Sequence, residues 1–354
     1  MIPALLVFGY AVAIACWLPA LLTPLTRSGA GARLGLAGWL AAMGSVLVAG
    51  GFAIGFLIRS AVDGWSGLAE AVCRSVAGGA CTPVIYRSAL YELGLGAAAL
   101  FATLTAVLLT WRCGRRVQQG RRRTRAHAEA ARITGRQLPP FAAGTAAAGT
   151  AAAGTAVAGT AVAGTAVAGT AAAGTAAAGI VVLDASRPAA YCVPGRPRPG
   201  TIVVTSGALA VLGPAQLTAV LEHERAHLAG RHHLLVAVTR GLAAIFPCVP
   251  VFSQGSAEVA RLTEMRADDA AARRAGRRPL IGALLALGTR APVPPVGIPA
   301  AGLAAAGYAV AARVHRLLEP PSQASRARCG FALAGLLLAL PTVSGLIFAL
   351  ASSA

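Results

Sequence analysis

The chain contains no lysine; every basic residue is arginine. It is also poor in acids, with 12 Asp and Glu against 31 basic residues, for a formal charge of +19. Only 12 % of its residues are charged, where a soluble globular domain has about a quarter. No two of its seven cysteines stand in a C-x-x-C pair, which argues against a thiolate zinc cluster. The arginine-for-lysine bias, beside abundant alanine, reads as a high-GC genome rather than a functional message. What fills the space is apolar: 56 % of residues are hydrophobic and the mean hydropathy is +0.68. That composition points to a membrane protein, and 354 residues leave room for several spans and one modest soluble domain.

Crossing a bilayer takes roughly 20 mostly apolar residues. Such runs occur at Ile2–Leu25, Leu34–Ile58, Ala89–Trp111 and Cys329–Leu350. The first has no basic stretch ahead of it, so it reads as a retained span and not a cleaved signal peptide. Arginine placement sets the orientation. Arg27 and Arg33 follow the first run unopposed, whereas the loop from Arg59 to Ser88 mixes Arg59, Arg74 and Arg87 with Asp63 and Glu70. After the third run come Arg112, Arg115, Arg116, Arg121, Arg122, Arg123, Arg125, Arg132 and Arg136, against Glu129 alone. The expectation is a multi-pass protein of the cell membrane with its N-terminus outside and residues 112–328 in the cytoplasm. Cys73 and Cys81 then share an external loop, where a disulfide between them is one of two equal readings. The basic block lacks interleaved aromatics and abuts a span. It therefore reads as a topological and lipid-facing feature, with no direct nucleic-acid binding expected.

The domain expectation is a three-helix membrane region at 1–111, a basic cytoplasmic segment at 112–141, a linker at 142–179, a peptidase domain at 180–328 and a final membrane helix at 329–354. The linker repeats Ala-(Ala/Val)-Ala-Gly-Thr, with glycine at every fifth position from 144 to 179. A period of five matches neither helix nor strand, and each glycine costs a helix about 1 kcal/mol. As a flexible tether it spans on the order of 34 Å. Beyond it, Ile180–Leu183 and Thr201–Thr205 read as strands, with a short one at Ala189–Val193 between them, in a stretch rich in proline and glycine. Pro214 opens a helix in which Leu217, Val220, Leu221 and Leu228 recur at helical spacing, and Gly230 ends or bends it.

On that helix stands His223-Glu224-Arg225-Ala226-His227. Histidines four apart lie on one helix face and can reach one metal ion. Glu224, beside the first, can take a proton from water held there. This is the H-E-x-x-H arrangement of zinc proteases. With six histidines and eight glutamates in the chain, chance places it on the order of a few times per thousand such sequences. A third ligand is expected at Glu264. Asp268, four residues on, is placed to hydrogen-bond a ligand histidine, with Asp269 as the competing candidate. His232 and His233 are candidate stabilisers of the oxyanion, although interfacial or capping roles are commoner. His127 and His315 read as solvated. The apolar stretch Leu234–Phe252, interrupted by Arg240 and Pro247, reads either as a helix lying in or dipping into the membrane face or as an entirely buried helix of the soluble domain. A full crossing would separate Glu264 from the two histidines and put Arg273, Arg274, Arg277 and Arg278 outside.

The segment Leu217–Leu228, preceded by Ile202-Val-Val-Thr-Ser-Gly-Ala-Leu and followed by Glu264-Met-Arg-Ala-Asp, resembles the antirepressor-type integral-membrane zinc metallopeptidases. That is the family of the beta-lactam sensor-transducer proteases. The resemblance implies an α-helical membrane protein of about four transmembrane helices carrying a gluzincin-like α+β zinc peptidase domain. It implies Zn2+ held by His223, His227 and Glu264, with Glu224 as base, in a cytoplasmic domain. Its expected partners are the lipid bilayer and a protein substrate, such as a transcriptional repressor cut in signal transduction. The chain stops at Ala354 without a penicillin-binding sensor domain, so beta-lactam sensing is not carried over, and the repeat is foreign to the family pattern. Two other readings stand beside this one. One is a housekeeping membrane protease of the heat-shock or CAAX type; the other is a non-catalytic protein with a structural metal site, which would have no need of Glu224.

Overall fold

Among the described residues, four helices are long and apolar enough to cross a membrane: Pro3–Arg27, Ala32–Val62, Leu93–Arg112 and Gln323–Ser352. They fall on the four apolar runs. The computed structural model describes residues 2–76, 93–112, 114–115, 118–119, 122, 135–137, 179–194, 200–288 and 300–353. The side chains of Cys73 and Cys81, the repeat up to residue 178 and most of 112–141 lie outside the described residues. The chain forms two compact units, Met1–Gln119 with Leu234–Leu262 and Pro321–Ala354, and Gly120–His233 with Thr263–Pro320.

The first unit holds α1 (Ile2–Arg27), α2 (Ala32–Val76), α3 (Leu93–Arg112) and α10 (Gln323–Ser353). α2 runs for 45 residues, so the first part of the expected external loop continues the helix. Its 45 residues measure about 67 Å, well beyond a hydrocarbon core of about 30 Å. Small residues let α1, α2 and α10 approach closely: Val7, Ala11, Ala49, Ala53 and Ala351 form one buried cluster. Trp17, Phe101 and Phe331 are mostly exposed, as suits surfaces that face lipid. Also in this unit are most of α6 (His232–Ile245) and the first half of α7 (Pro250–Ala275). α6 has 14 residues, a length of about 21 Å that is too short to cross. α7 is tied to the end of α1 by ionic contacts. Arg261 donates to the carbonyls of Thr26 (2.8 Å) and Arg27 (3.1 Å), while Glu258 pairs with Arg261 (2.7 Å) and accepts from the Thr26 hydroxyl (3.1 Å). A cation on the carbonyls that end a helix satisfies groups with no partner inside it.

The second unit is built on a sheet of order β1-β2-β4-β3, from β1 (Arg136–Gln137), β2 (Gly179–Leu183), β3 (Ala190–Val193) and β4 (Thr201–Thr205). The two long β-branched runs, β2 and β4, pair in parallel, whereas β3 turns back antiparallel on the far side of β4. β4 is thus central, and all five of its residues are buried, as an unbroken apolar run predicts. Thr205 ends the strand and caps α4 (Ser206–Val211). Its hydroxyl oxygen accepts from the N–H groups of Ala208 (3.1 Å) and Ala189 (2.9 Å), and its proton goes to the Arg187 carbonyl (2.7 Å). α5 (Pro214–Ala229) packs between the sheet and α8 (Arg277–Gly288). One core joins Ile202 and Val204 of the sheet, Val220 and Leu221 of α5, and Ala283 of α8. A second joins Ala219, Ala271, Leu280 and Leu317, the last from α9 (Ala300–Leu318). Both hold α5 rigidly by its apolar positions and leave its histidine face turned to α7.

Candidate metal centre

α5 starts with Pro214 at its first turn, where a missing N–H costs nothing, and the Gly213 N–H donates to Gln216 Oε1 (2.9 Å). It ends at Gly230, whose N–H donates to the Ala226 carbonyl (2.9 Å). Between these ends the i, i+4 register brings His223 and His227 together, Nε2 to Nε2 at 3.0 Å. α7 presents Glu264 to both rings, with Oε2 3.5 Å from His223 Nε2 and Oε1 3.4 Å from His227 Nε2. His223, His227 and Glu264 form a group that can hold a metal ion. One ligand atom from each residue lies within 4.8 Å of the others, and the two oxygens of Glu264 each face one ring, at 3.5 and 3.4 Å. Tetrahedral ligands bonded at about 2.0–2.1 Å stand about 3.3 Å from one another. The two ring nitrogens, 3.0 Å apart, and a carboxylate that meets both suit a borderline divalent ion.

The outer nitrogens of the two rings have partners of different chemistry. His223 Nδ1 lies 3.1 Å from Oδ1 of Asp268, which is 1 % exposed. His227 Nδ1 lies 3.0 Å from Nδ1 of His232. If His227 offers Nε2 to an ion, its Nδ1–H is left to donate to a neutral His232. His232 therefore stands behind the His227 ring. Two features of the chain let it do so. Arg231 adopts a left-handed backbone (φ 48°) that folds the chain back. Gly230 leaves room for the ring, since a Cβ there would meet His232 Nε2 at 2.3 Å. His233 is half-buried and His315 is exposed on α9. Asp269 pairs with Arg316 instead (2.8 Å).

Two residues of the site had no place in the sequence reading. Cys192 of β3 lies close enough to the Glu224 carboxylate for each to shift the other's titration, Glu224 helping to push the thiol up. Arg313 of α9 forks onto Asp268, Nε to Oδ2 at 2.7 Å and Nη2 to Oδ1 at 2.6 Å, and its Nη1 lies 3.3 Å from Glu264 Oε2. The period of two along β3 sets Cys192 on the face opposite Tyr191, but only the fold brings that face to Glu224. The adjacent acids Asp268 and Asp269 were the one signal that α7 needs cationic partners from elsewhere.

Burial and charge divide the titrations. Burial pushes Glu224 up, against the pull of His223 and the Cys192 donors. Burial also pulls His223 down, but Asp268 and Glu264 outweigh it and hold it at about 9. His227 falls to about 4, and so does His232, each chiefly through burial. Partial burial of Glu264 and full burial of Asp268 push each up, yet their cationic neighbours, foremost His223 for the first and Arg313 for the second, hold both at about 2. Without a metal, the site therefore keeps one proton on His223 between two carboxylates, where a divalent ion would otherwise supply the positive charge.

Peptidase family M48 matches residues 161–287. The matched stretch, about a third of the chain, contains Glu224, Glu264 and both histidines of the group, and it supports a metallopeptidase, a hydrolase acting on protein. It begins inside the alanine–glycine–threonine repeat, ahead of β2. No curated protein and no solved structure matches the chain.

Proposed function

We propose that the protein is a membrane-anchored zinc endopeptidase that cuts a protein partner on the cytoplasmic side, in regulated proteolysis of a repressor or similar target. The observation that carries this is the convergence of His223, His227 and Glu264 on one point, with Glu224 on the same turn of α5. The repressor target rests on the antirepressor-type resemblance, and the cytoplasmic side rests on the arginines after the third span.

His223, His227 and Glu264 would hold the ion, with Asp268 and His232 fixing the two rings. When bound, zinc polarises a scissile carbonyl and brings the pKa of water toward about 7. Glu224 takes the proton from the attacking water and delivers it to the leaving amine. Its raised pKa suits a group that must both accept and release a proton. The substrate is read as an extended strand added to the edge of the sheet formed by residues 180–205, as strand augmentation permits.

The test compares wild type with Glu224→Gln in membranes, reading zinc content and cleavage of candidate cytoplasmic proteins. Retained zinc with lost cleavage is expected. Equal cleavage by the variant, or no zinc in either protein, refutes the reading. Cleavage of many damaged membrane proteins, with no preferred partner, would favour a housekeeping protease.

A further inference from the structure

α9 lays two arginines, one turn apart, against two adjacent acids of α7. Arg316 forks onto Asp269 at 2.8 and 2.9 Å. Arg313 forks onto Asp268 at 2.7 and 2.6 Å. The two forks look alike, but they lead to different places. Asp269 touches no ligand of the metal group among the described contacts. Asp268 Oδ1, the atom that receives Arg313 Nη2, also faces His223 Nδ1 at 3.1 Å. Moreover, the third arm of Arg313 reaches 3.3 Å from Glu264 Oε2.

One rigid plane therefore meets both acids of the site at once. A guanidinium fork sets the plane of the carboxylate it binds, not only its charge. With Asp268 so set, the ring of His223 is met from a single direction. Glu264 is the more exposed acid, at 40 %, and Nη1 limits where its nearer oxygen can swing. We propose that Arg313 is a positioning residue of the metal centre, holding His223 through Asp268 and Glu264 directly. This rests on the metallopeptidase reading above. A lysine, a point charge on a flexible stem, supplies the charge without the three coplanar contacts.

Arg316 is the internal control, because its fork docks α9 on α7 without leading to a ligand. The experiment uses the full chain in detergent with Arg313→Lys and Arg316→Lys. It reads melting temperature, zinc affinity by chelator competition, and the visible spectrum of the cobalt-loaded protein. Loss of a residue that orients metal ligands typically weakens binding about 10–100-fold. We expect that loss, with an altered cobalt spectrum, for Arg313→Lys. Arg316→Lys should stay within about two-fold of wild type and keep its spectrum, whatever its effect on melting. Equal losses in the two variants, or unchanged affinity in Arg313→Lys, would overturn the positioning role. A wild type that binds no zinc would overturn the metallopeptidase reading itself, so the two failures are distinguishable.

Discussion

Metal binding should release a proton from His223, and removing Asp268 should abolish that release. His223 is held at about 9 and His227 at about 4 in the metal-free site. At pH 8 a group of pKa 9 carries about 0.9 proton, a group of pKa 4 carries essentially none, and a ring at the ordinary 6.5 carries about 0.03. A metal ion can use Nε2 of His223 only when that proton leaves. In Asp268→Asn the carboxylate that raises His223 most is gone, while burial and the Arg313 cation still pull it down. Its release should then fall below about 0.1 at pH 8. Titration calorimetry of the metal-free full chain with zinc, in buffers of differing ionisation enthalpy, counts protons directly. Any other group that titrates on binding cancels in the difference between the two proteins, expected at about 0.8 proton. The affinities should diverge in a telling way. Proton competition weakens wild type about 100-fold at pH 7 but only about two-fold at pH 9. Losing the orienting carboxylate costs the variant about 10–100-fold at every pH. The two proteins should therefore bind zinc comparably near pH 7, with the variant clearly weaker at pH 9. A difference below about 0.2 proton, or a variant that gains on wild type as pH rises, would refute the assignment of the stored proton to His223.

The same shift has a stability consequence of fixed sign. His223 is raised in the folded state, so its contribution is present below about 6.5 and is lost as pH rises through about 9. The melting temperature of the metal-free protein should fall across that window, and zinc should remove the dependence. Gly230→Ala places a Cβ 2.3 Å from His232 Nε2; zinc affinity should drop about ten-fold as the ring leaves His227, and an unchanged affinity would show that His232 holds nothing in place. Thr205→Val keeps the shape but strands the N–H groups of Ala189 and Ala208. Thermal unfolding should report a loss of about 2–4 kcal/mol, largely restored in Thr205→Ser. Reporter fusions should place the C-terminus outside and residue 130 in the cytoplasm; the reverse would put the site on the other face of the membrane.

Much of the architecture was readable because helices and spans are local. Four apolar runs became four helices of spanning length, since nothing but length and hydropathy decides that. The sheet was readable in its parts and not in its pairing. Ile180–Leu183 and Thr201–Thr205 announce strands by their β-branched residues. Their parallel alignment depends on β3 crossing to the far side of β4, which strand composition does not encode. Likewise Leu234–Leu262 groups with the spans and not with the residues on either side of it. That division follows from Gly255 seating on Trp39 and Met43, a contact between residues more than two hundred positions apart.

The metal group shows where the boundary between readable and unreadable falls. His223, Glu224 and His227 share one turn of helix, so the 3.6-residue period alone sets their geometry. Glu264 and Asp268 share another, and their spacing of four was enough to pair them with the histidines as a hypothesis. Everything that fixes these groups comes from elsewhere: Cys192 from a strand edge, Arg313 from α9, His232 through a left-handed residue at Arg231. Such partners leave no periodic trace, because each reaches the site through a tertiary contact with its own local pattern. The chemistry follows the same division. Which residues could bind an ion is a matter of helix register. Whether they hold a proton in its place, at about 9 on one histidine and about 4 on the other, is decided by the carboxylates beside the first ring and by the burial of the second.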